Sequence, residues 1–245
     1  MATDVSPEAD EPQPPAGPVR ALLHKRRASH SHGFVLALVV ATFIFAATAG
    51  DAAWTSSVLV LLQSAAFVAA LWTSGLADVD SRLSRLFLAV AVLVAVLNLV
   101  VEGETLTAIA GLLSGLLAFG IAFVIAASVL DQPRVNAQSV IGAICIYLLL
   151  GMIFMFAYGV IAALASGPFF AQGTDGTRSI RMYFSYITMT TVGYGDYTAA
   201  GNLGRTLSAS EALFGQLYLV TVVAVVVSRL GRRREPRAGR GERAD

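Results

Sequence analysis

Long apolar segments separated by short polar stretches occupy most of the chain. Each is near or above the length that a helix needs to cross the hydrocarbon core of a bilayer. The pattern predicts six membrane-spanning helices, over residues 34–50, 54–73, 83–101, 105–130, 139–165 and 207–230. Because the loops between the first four are short, we expect antiparallel neighbours that form a helical bundle. The predicted fold class is an all-α membrane protein.

Composition and charge agree with this pattern. Of 245 residues, 56% are hydrophobic and 13% are charged, as is typical of a membrane protein. No lysine or arginine occurs within residues 28–81 or 86–133, whereas Arg82, Arg85 and Arg134 follow the second and fourth spans. The positive-inside rule then predicts that both termini are cytoplasmic and that the chain lies in the cell membrane. The basic tails are expected to meet membrane lipids and not nucleic acid.

The few chemically reactive side chains argue against an enzyme. Cys145 is the single cysteine and lies in an apolar helix, which excludes a disulfide framework and predicts a packing residue. The three histidines, His32 among them, fall in the predicted N-terminal tail, so none is expected at membrane depth. Glu102 and Glu104 could form a metal or proton site, but a solvated turn is favoured. We expect neither catalysis nor a cofactor.

A glycine-punctuated polar run, residues 190–196, interrupts the apolar pattern with the order Thr-Thr-Val-Gly-Tyr-Gly-Asp. Non-helical backbone at membrane depth is stable only inside protein or along a water-filled path. Gly193 and Gly195 permit positive φ, so that successive carbonyls point to one side, while Val192 and Tyr194 point into supporting protein. The Thr191 hydroxyl adds one more oxygen. Such a column suits a dehydrated monovalent cation.

This run resembles the selectivity-filter signature of potassium channels, and residues 139–230 resemble the pore region of prokaryotic six-span members of that family. The resemblance implies a re-entrant pore helix and filter between the fifth and sixth spans of a homotetramer, with its pore on the symmetry axis. It also implies K⁺ as the permeant ion, bound at the first four of the filter residues Thr191, Val192, Gly193, Tyr194 and Gly195.

Further residues around the filter follow from the same resemblance. Asp196 is expected to support the filter by accepting a hydrogen bond from Tyr183 on the pore helix. The family often has a pore-helix glutamate that meets this aspartate, but here the matching residue is Ile187. The departure predicts a filter that collapses readily at low potassium. The pore helix itself is predicted to begin at a cap formed by Thr177 or Asp175 and to end near Thr190.

The sixth span carries the predicted inner part of the pore. Gly215 is a candidate hinge, although a glycine here would also admit a neighbouring backbone. Glu211, near the outer end of the span, is expected to bond to the back of the pore helix. One helical face would line the cavity and inner gate with Gln216, Leu219, Val223 and Val227.

Four regions summarise the predicted organisation. Residues 1–33 form a disordered cytoplasmic tail, 34–132 a sensor-like bundle, 133–230 the pore domain and 231–245 a basic cytoplasmic tail. The fourth span lacks arginine and lysine, so the bundle carries no gating charges and steep voltage gating is not expected. The predicted function is passive, potassium-selective conduction. A poorly selective cation channel and a non-conducting scaffold or regulatory subunit are the alternatives.

Overall fold

The structure, a computed structural model, describes residues 32–74, 82–100, 104–130 and 137–231. Within these ranges the chain is all-helical, with no strand. Its helices are α1 (His32–Thr48), α2 (Ala53–Ser74), α3 (Arg82–Val100), α4 (Glu104–Leu130), α5 (Ala137–Leu164), α6 (Arg178–Met189) and α7 (Asn202–Gly231). Helix α6 corresponds to the predicted pore helix, and the other six correspond to the predicted spans.

The helices differ in how well they suit a bilayer. Among the described residues, four helical stretches are long and apolar enough to cross a membrane: Trp54–Ser74, Ala108–Leu130, Ala137–Leu164 and Asn202–Val225. Two further apolar stretches, His32–Thr48 and Leu88–Leu97, are shorter. The all-helical fold class is confirmed, and the count of six spans stays a prediction.

The predicted boundaries of the first five spans agree with the helices to within two residues. The sixth was wrong at its start, because α7 begins at Asn202 and not at residue 207. Its first turns are polar and gave no hydrophobic signal. They are held by tertiary contacts: the Arg205 Nε donates to Ala199 O at 3.0 Å, and a Cβ on Gly204 would lie 3.0 Å from the Phe169 ring.

Helices α1 to α4 pack on one another, and the same bundle packs on the predicted pore domain of its own chain. Helix α2 contacts α1, α3 and α4, while α5 contacts α4 and α1. One apolar core crosses this boundary through Val39, Ile121, Cys145 and Leu149. Cys145 is therefore a packing residue, as predicted. The link that precedes α5 lies outside the described residues.

The first helix begins earlier than the predicted tail boundary allows. His32 starts α1 and is buried, with its Nε2 3.4 Å from the Ser128 hydroxyl, so residues 32 and 33 do not belong to a disordered tail. The neutral, apolar composition that follows His32 permits the helix to extend to it. Residues 1–31 and 232–245, which make up most of the two predicted tails, and residues 101–103 of the Glu102 loop lie outside the described residues.

Candidate functional site

In residues 191–195, which follow α6, every second residue has a positive φ, and the sequence had predicted this for the two glycines. Gly193 and Gly195 have φ of 51° and 81°, and Thr191 has φ of 59°. The glycine conformations are confirmed. Left-handed backbone at Thr191 was not predicted, because a β-branched residue rarely adopts it. Positive φ at every second residue turns successive peptide groups the same way.

Hydrogen bonds of this run lead back to α6. The Thr191 N donates to Thr188 O at 2.9 Å, and the N–H groups of Val192 and Gly193 donate to Ile187 O at 2.9 and 3.1 Å. Across the described ranges, no hydrogen bond reaches the carbonyl oxygens of residues 191–195. The amides of residues 191–193 are thus satisfied by the helix end, and the carbonyls of the run remain available for a cation.

The helix that precedes the run is anchored at both ends. Thr177 is the N-cap, and its hydroxyl accepts from Ile180 N at 3.2 Å. The alternative cap, Asp175, instead accepts from Phe169 N at 2.8 Å in the loop before the helix. The helix ends at the cap residue Thr190. The negative end of its dipole therefore lies beside the start of the run, where it favours a cation.

Side chains on the outer side of the run make the predicted polar contact. The Tyr183 hydroxyl donates to Asp196 Oδ2 at 2.9 Å, and the Tyr183 ring stacks on Tyr194 with centroids 6.5 Å apart. The loop before α6 is also tied to the segment after the run, because Ala171 N donates to Thr198 O at 2.8 Å. The contact is present, and the supporting role of the pair stays a prediction.

The expected protein support behind the run is incomplete within one chain. Val192 is 52% exposed and Tyr194 is 72% exposed, although both were expected to point into supporting protein. One chain covers these side chains only in part, and the support expected behind them stays a prediction.

Behind α6 an aromatic cluster fixes the helix against α5. Its aromatic members are Phe154, Tyr158, Phe169, Phe170 and Phe184. The centroid of the Tyr158 ring lies 5.1 Å from that of Phe169 and 5.2 Å from that of Phe184. Sequence reasoning missed this cluster. The signal that was available is the Phe169–Phe170 pair, which follows the end of the fifth span and the helix-breaking residues 166–168, Ser-Gly-Pro.

Glu211 on α7 lies buried at the centre of a hydrogen-bond network. The Ser185 hydroxyl of α6 donates to Glu211 Oε1, and the Tyr158 hydroxyl of α5 donates to Oε2. The Ser185 hydroxyl also lies 2.8 Å from Gly151 O of α5. The predicted bond from Glu211 to the back of the pore helix is confirmed. This carboxyl joins three helices behind the run.

Gly215 lies one turn further along α7, where the helix touches the end of α6. A Cβ added here would lie 2.5 Å from both Met189 O and Met189 Cγ. Contacts this short with a backbone atom cannot occur without a shift of the helices. Of the two interpretations of Gly215, the structure supports the close approach of a neighbouring backbone.

Gly215→Ala is expected to destabilise the folded protein, although alanine normally stabilises a helix by about 1 kcal/mol relative to glycine. The added methyl group would push α7 away from Met189. Gly111→Ala on α4 is the matched control, because a Cβ there meets nothing within 4 Å. Thermal unfolding of both variants measures the difference. An equal stabilisation by both substitutions would show that Gly215 is a free bending point.

The residues predicted for the cavity and inner gate lie along one side of α7. Gln216 is half-buried, while Leu219 and Val223 are 37% and 57% exposed. The side chain of Val227 lies outside the described residues. Their role in a cavity and inner gate stays a prediction.

Two arginines at the start of α6 make contacts that the sequence analysis did not predict. Arg178 is buried and donates to the Thr55 and Ser56 hydroxyls of α2 at 3.0 and 2.6 Å. Arg181 donates to the Gly176 and Asp175 carbonyls. Burial lowers the pKa of Arg178, the charge of Asp51 raises it and the nearby charge of Arg181 lowers it again. Both remain charged at neutral pH.

Residues 142–232, which span most of α5 together with α6 and α7, match a family model described as "Ion channel". The match covers less than half of the chain, but it contains the whole of the site. The class of protein that this match and the helices support is a multi-pass membrane ion channel and not an enzyme.

One curated relative sharpens the comparison. Over 94 residues, the chain is 34% identical to the inward rectifier potassium channel Kirbac3.1 of Paramagnetospirillum magnetotacticum. The aligned stretch covers 38% of this chain and 29% of that channel. No solved structure matches the chain.

Proposed function

We propose that the chain forms a potassium-selective channel that conducts K⁺ passively through a homotetrameric pore. The backbone of residues 191–195 carries this proposal, because its carbonyls are free of hydrogen bonds while its inner amides bond to α6. Carbonyl oxygens that replace the hydration shell of K⁺ are the basis of such filters. The similarity to a bacterial potassium channel supports the choice of ion.

A single chain supplies one column of oxygens, and a ring around an ion needs several. The exposure of Val192 and Tyr194, and of Leu213, Phe214 and Leu217 on α7, fits surfaces that other copies would cover. Closed rotational symmetry is the usual arrangement of identical subunits. The resemblance to potassium channels makes a tetramer the inferred assembly. The arginines in the loops after the second and fourth spans lead us to infer that both termini face the cytoplasmic side of the cell membrane.

Flux from liposomes that contain the purified full-length chain tests the proposal. Potassium flux that barium blocks, with little sodium flux, is the expected result. Equal sodium and potassium flux would favour a poorly selective cation channel. Absence of any flux would favour a non-conducting scaffold or regulatory subunit.

Current through the reconstituted channel is expected to vary nearly linearly with voltage in symmetric potassium. Moving one elementary charge through 100 mV supplies only about 2.3 kcal/mol, so steep gating needs several charges on one helix. Helix α4 contains no lysine or arginine. A conductance that rises e-fold over a few millivolts would reveal a sensor elsewhere.

Slow loss of current at low external potassium is expected, because Ile187 cannot bond to Asp196 behind the filter. Ile187→Glu introduces a carboxyl that, when protonated, can donate to Asp196, and it is expected to slow the loss. Currents recorded at high and low potassium measure the effect. Ile187→Leu is the control for the change of side chain, and parental currents that persist at low potassium would contradict the prediction.

A further inference from the structure

A cavity of about 720 Å³ lies between the bundle and the predicted pore domain of the same chain. Its walls come from α2, α4 and α5, and its rim comes from the start of α6. Most of the lining is apolar, including Leu59, Leu112, Met155 and Phe156. Leu164, which also lines it, is 82% exposed, so the cavity opens at the surface of the chain.

The rim of this cavity carries two neighbouring guanidinium groups. Arg178 and Arg181 are three residues apart on α6, so their side chains lie on the same face. The guanidinium of Arg178 donates to hydroxyls and that of Arg181 to carbonyls. Two cations thus lie side by side at the rim, each held by uncharged oxygens.

Two carboxylates also line the rim, but both are used by backbone N–H groups. Asp51 accepts from Arg178 N at 3.1 Å, and Asp175 accepts from Phe169 N at 2.8 Å. Their two charges offset those of the two arginines in number. The guanidinium donors that remain beyond the bonds described above can still bind a phosphate, which fits the planar fork of arginine.

We propose that this cavity binds an anionic phospholipid, with its phosphate at Arg178 and Arg181 and an acyl chain between α4 and α5. A free phosphate would meet the same guanidinium groups but would leave the apolar walls unfilled. The volume lies within the range of about 300 to 1,000 Å³ that is typical of pockets for whole organic ligands. The proposal requires the helices to lie in a membrane and does not depend on K⁺ conduction.

Native mass spectrometry of the purified full-length chain tests this site, with phosphatidylglycerol, phosphatidylcholine or inorganic phosphate added. Phosphatidylglycerol is expected to bind most tightly, and Arg181→Gln to weaken it by about tenfold through the loss of a charge-assisted bond. Arg205→Gln is the matched control, because Arg205 does not line the cavity and donates to Ala199 O. Its binding should equal that of the parent chain.

A second variant fills the cavity without removing charge. Gly111 lines it and has open space around its Cβ position, so Gly111→Leu is expected to fold and to exclude the acyl chain. Leu116→Trp, on the exposed side of α4, is its control. Unchanged lipid binding by Arg181→Gln and Gly111→Leu would overturn the proposal. Equal binding of phosphatidylcholine, or competition by inorganic phosphate alone, would overturn the choice of ligand.

Discussion

Gly193→Ala is expected to abolish potassium flux through the reconstituted protein while the oligomer still assembles. Gly193 has φ of 51°, a conformation that a residue with a Cβ holds only at a cost of about 1 to 3 kcal/mol. A Cβ at this position meets nothing within 4 Å in the chain. The expected damage is therefore to the backbone, which would rotate its carbonyl out of the column, and not to packing.

Gly201→Ala is the matched control for this experiment. Gly201 follows the same run and also has open space around its Cβ position, but its φ lies outside the left-handed region. Size-exclusion profiles of both variants should equal that of the parent chain, and only Gly193→Ala should lose flux. Selective current of normal size in Gly193→Ala would mean that these carbonyls do not form the ion path.

Glu211→Ala is expected to lower the free energy of unfolding by about 2 to 5 kcal/mol and to reduce flux. The substitution removes the acceptor of the Tyr158 and Ser185 hydroxyls and leaves a cavity between three helices. Because Ser185 lies on α6, the helix that ends at the filter loses one of its anchors. The thermal midpoint of the purified oligomer and potassium flux from liposomes measure the two effects.

Control substitutions distinguish the loss of this hydrogen-bond network from a general destabilisation of α7. Ser210→Ala is the control, since Ser210 is half-buried at most and bonds only to Thr206 O of its own helix. Glu211→Gln keeps one oxygen and should be less damaging than alanine. In a double-mutant cycle, Tyr158→Phe should destabilise the parent chain more than it destabilises Glu211→Ala. Additive effects would show that the carboxyl does not act through this bond.

Features that depend on spacing along the chain were predictable from sequence. The length of the apolar segments located the helices, because a membrane-spanning helix must match the thickness of the bilayer. The two glycines of the filter run were predictable because few other residues adopt positive φ. The absence of arginine from the fourth span was equally visible. The polar start of α7 and the left-handed Thr191 were missed, because neither follows from periodicity.

The sequence by itself thus determined the apolar helices, the glycine-punctuated run between the last two of them and the absence of lysine and arginine from the fourth helix. Only the tertiary structure decided which residues meet across helices. Ser185 and Tyr158 bond to Glu211 from 26 and 53 positions away, and Arg178 reaches Ser56 from 122 positions away. Such pairs have no periodic signature, because their spacing reflects the packing of whole helices. The close contact of Gly215 with Met189 and the arginine-rimmed cavity arise in the same way.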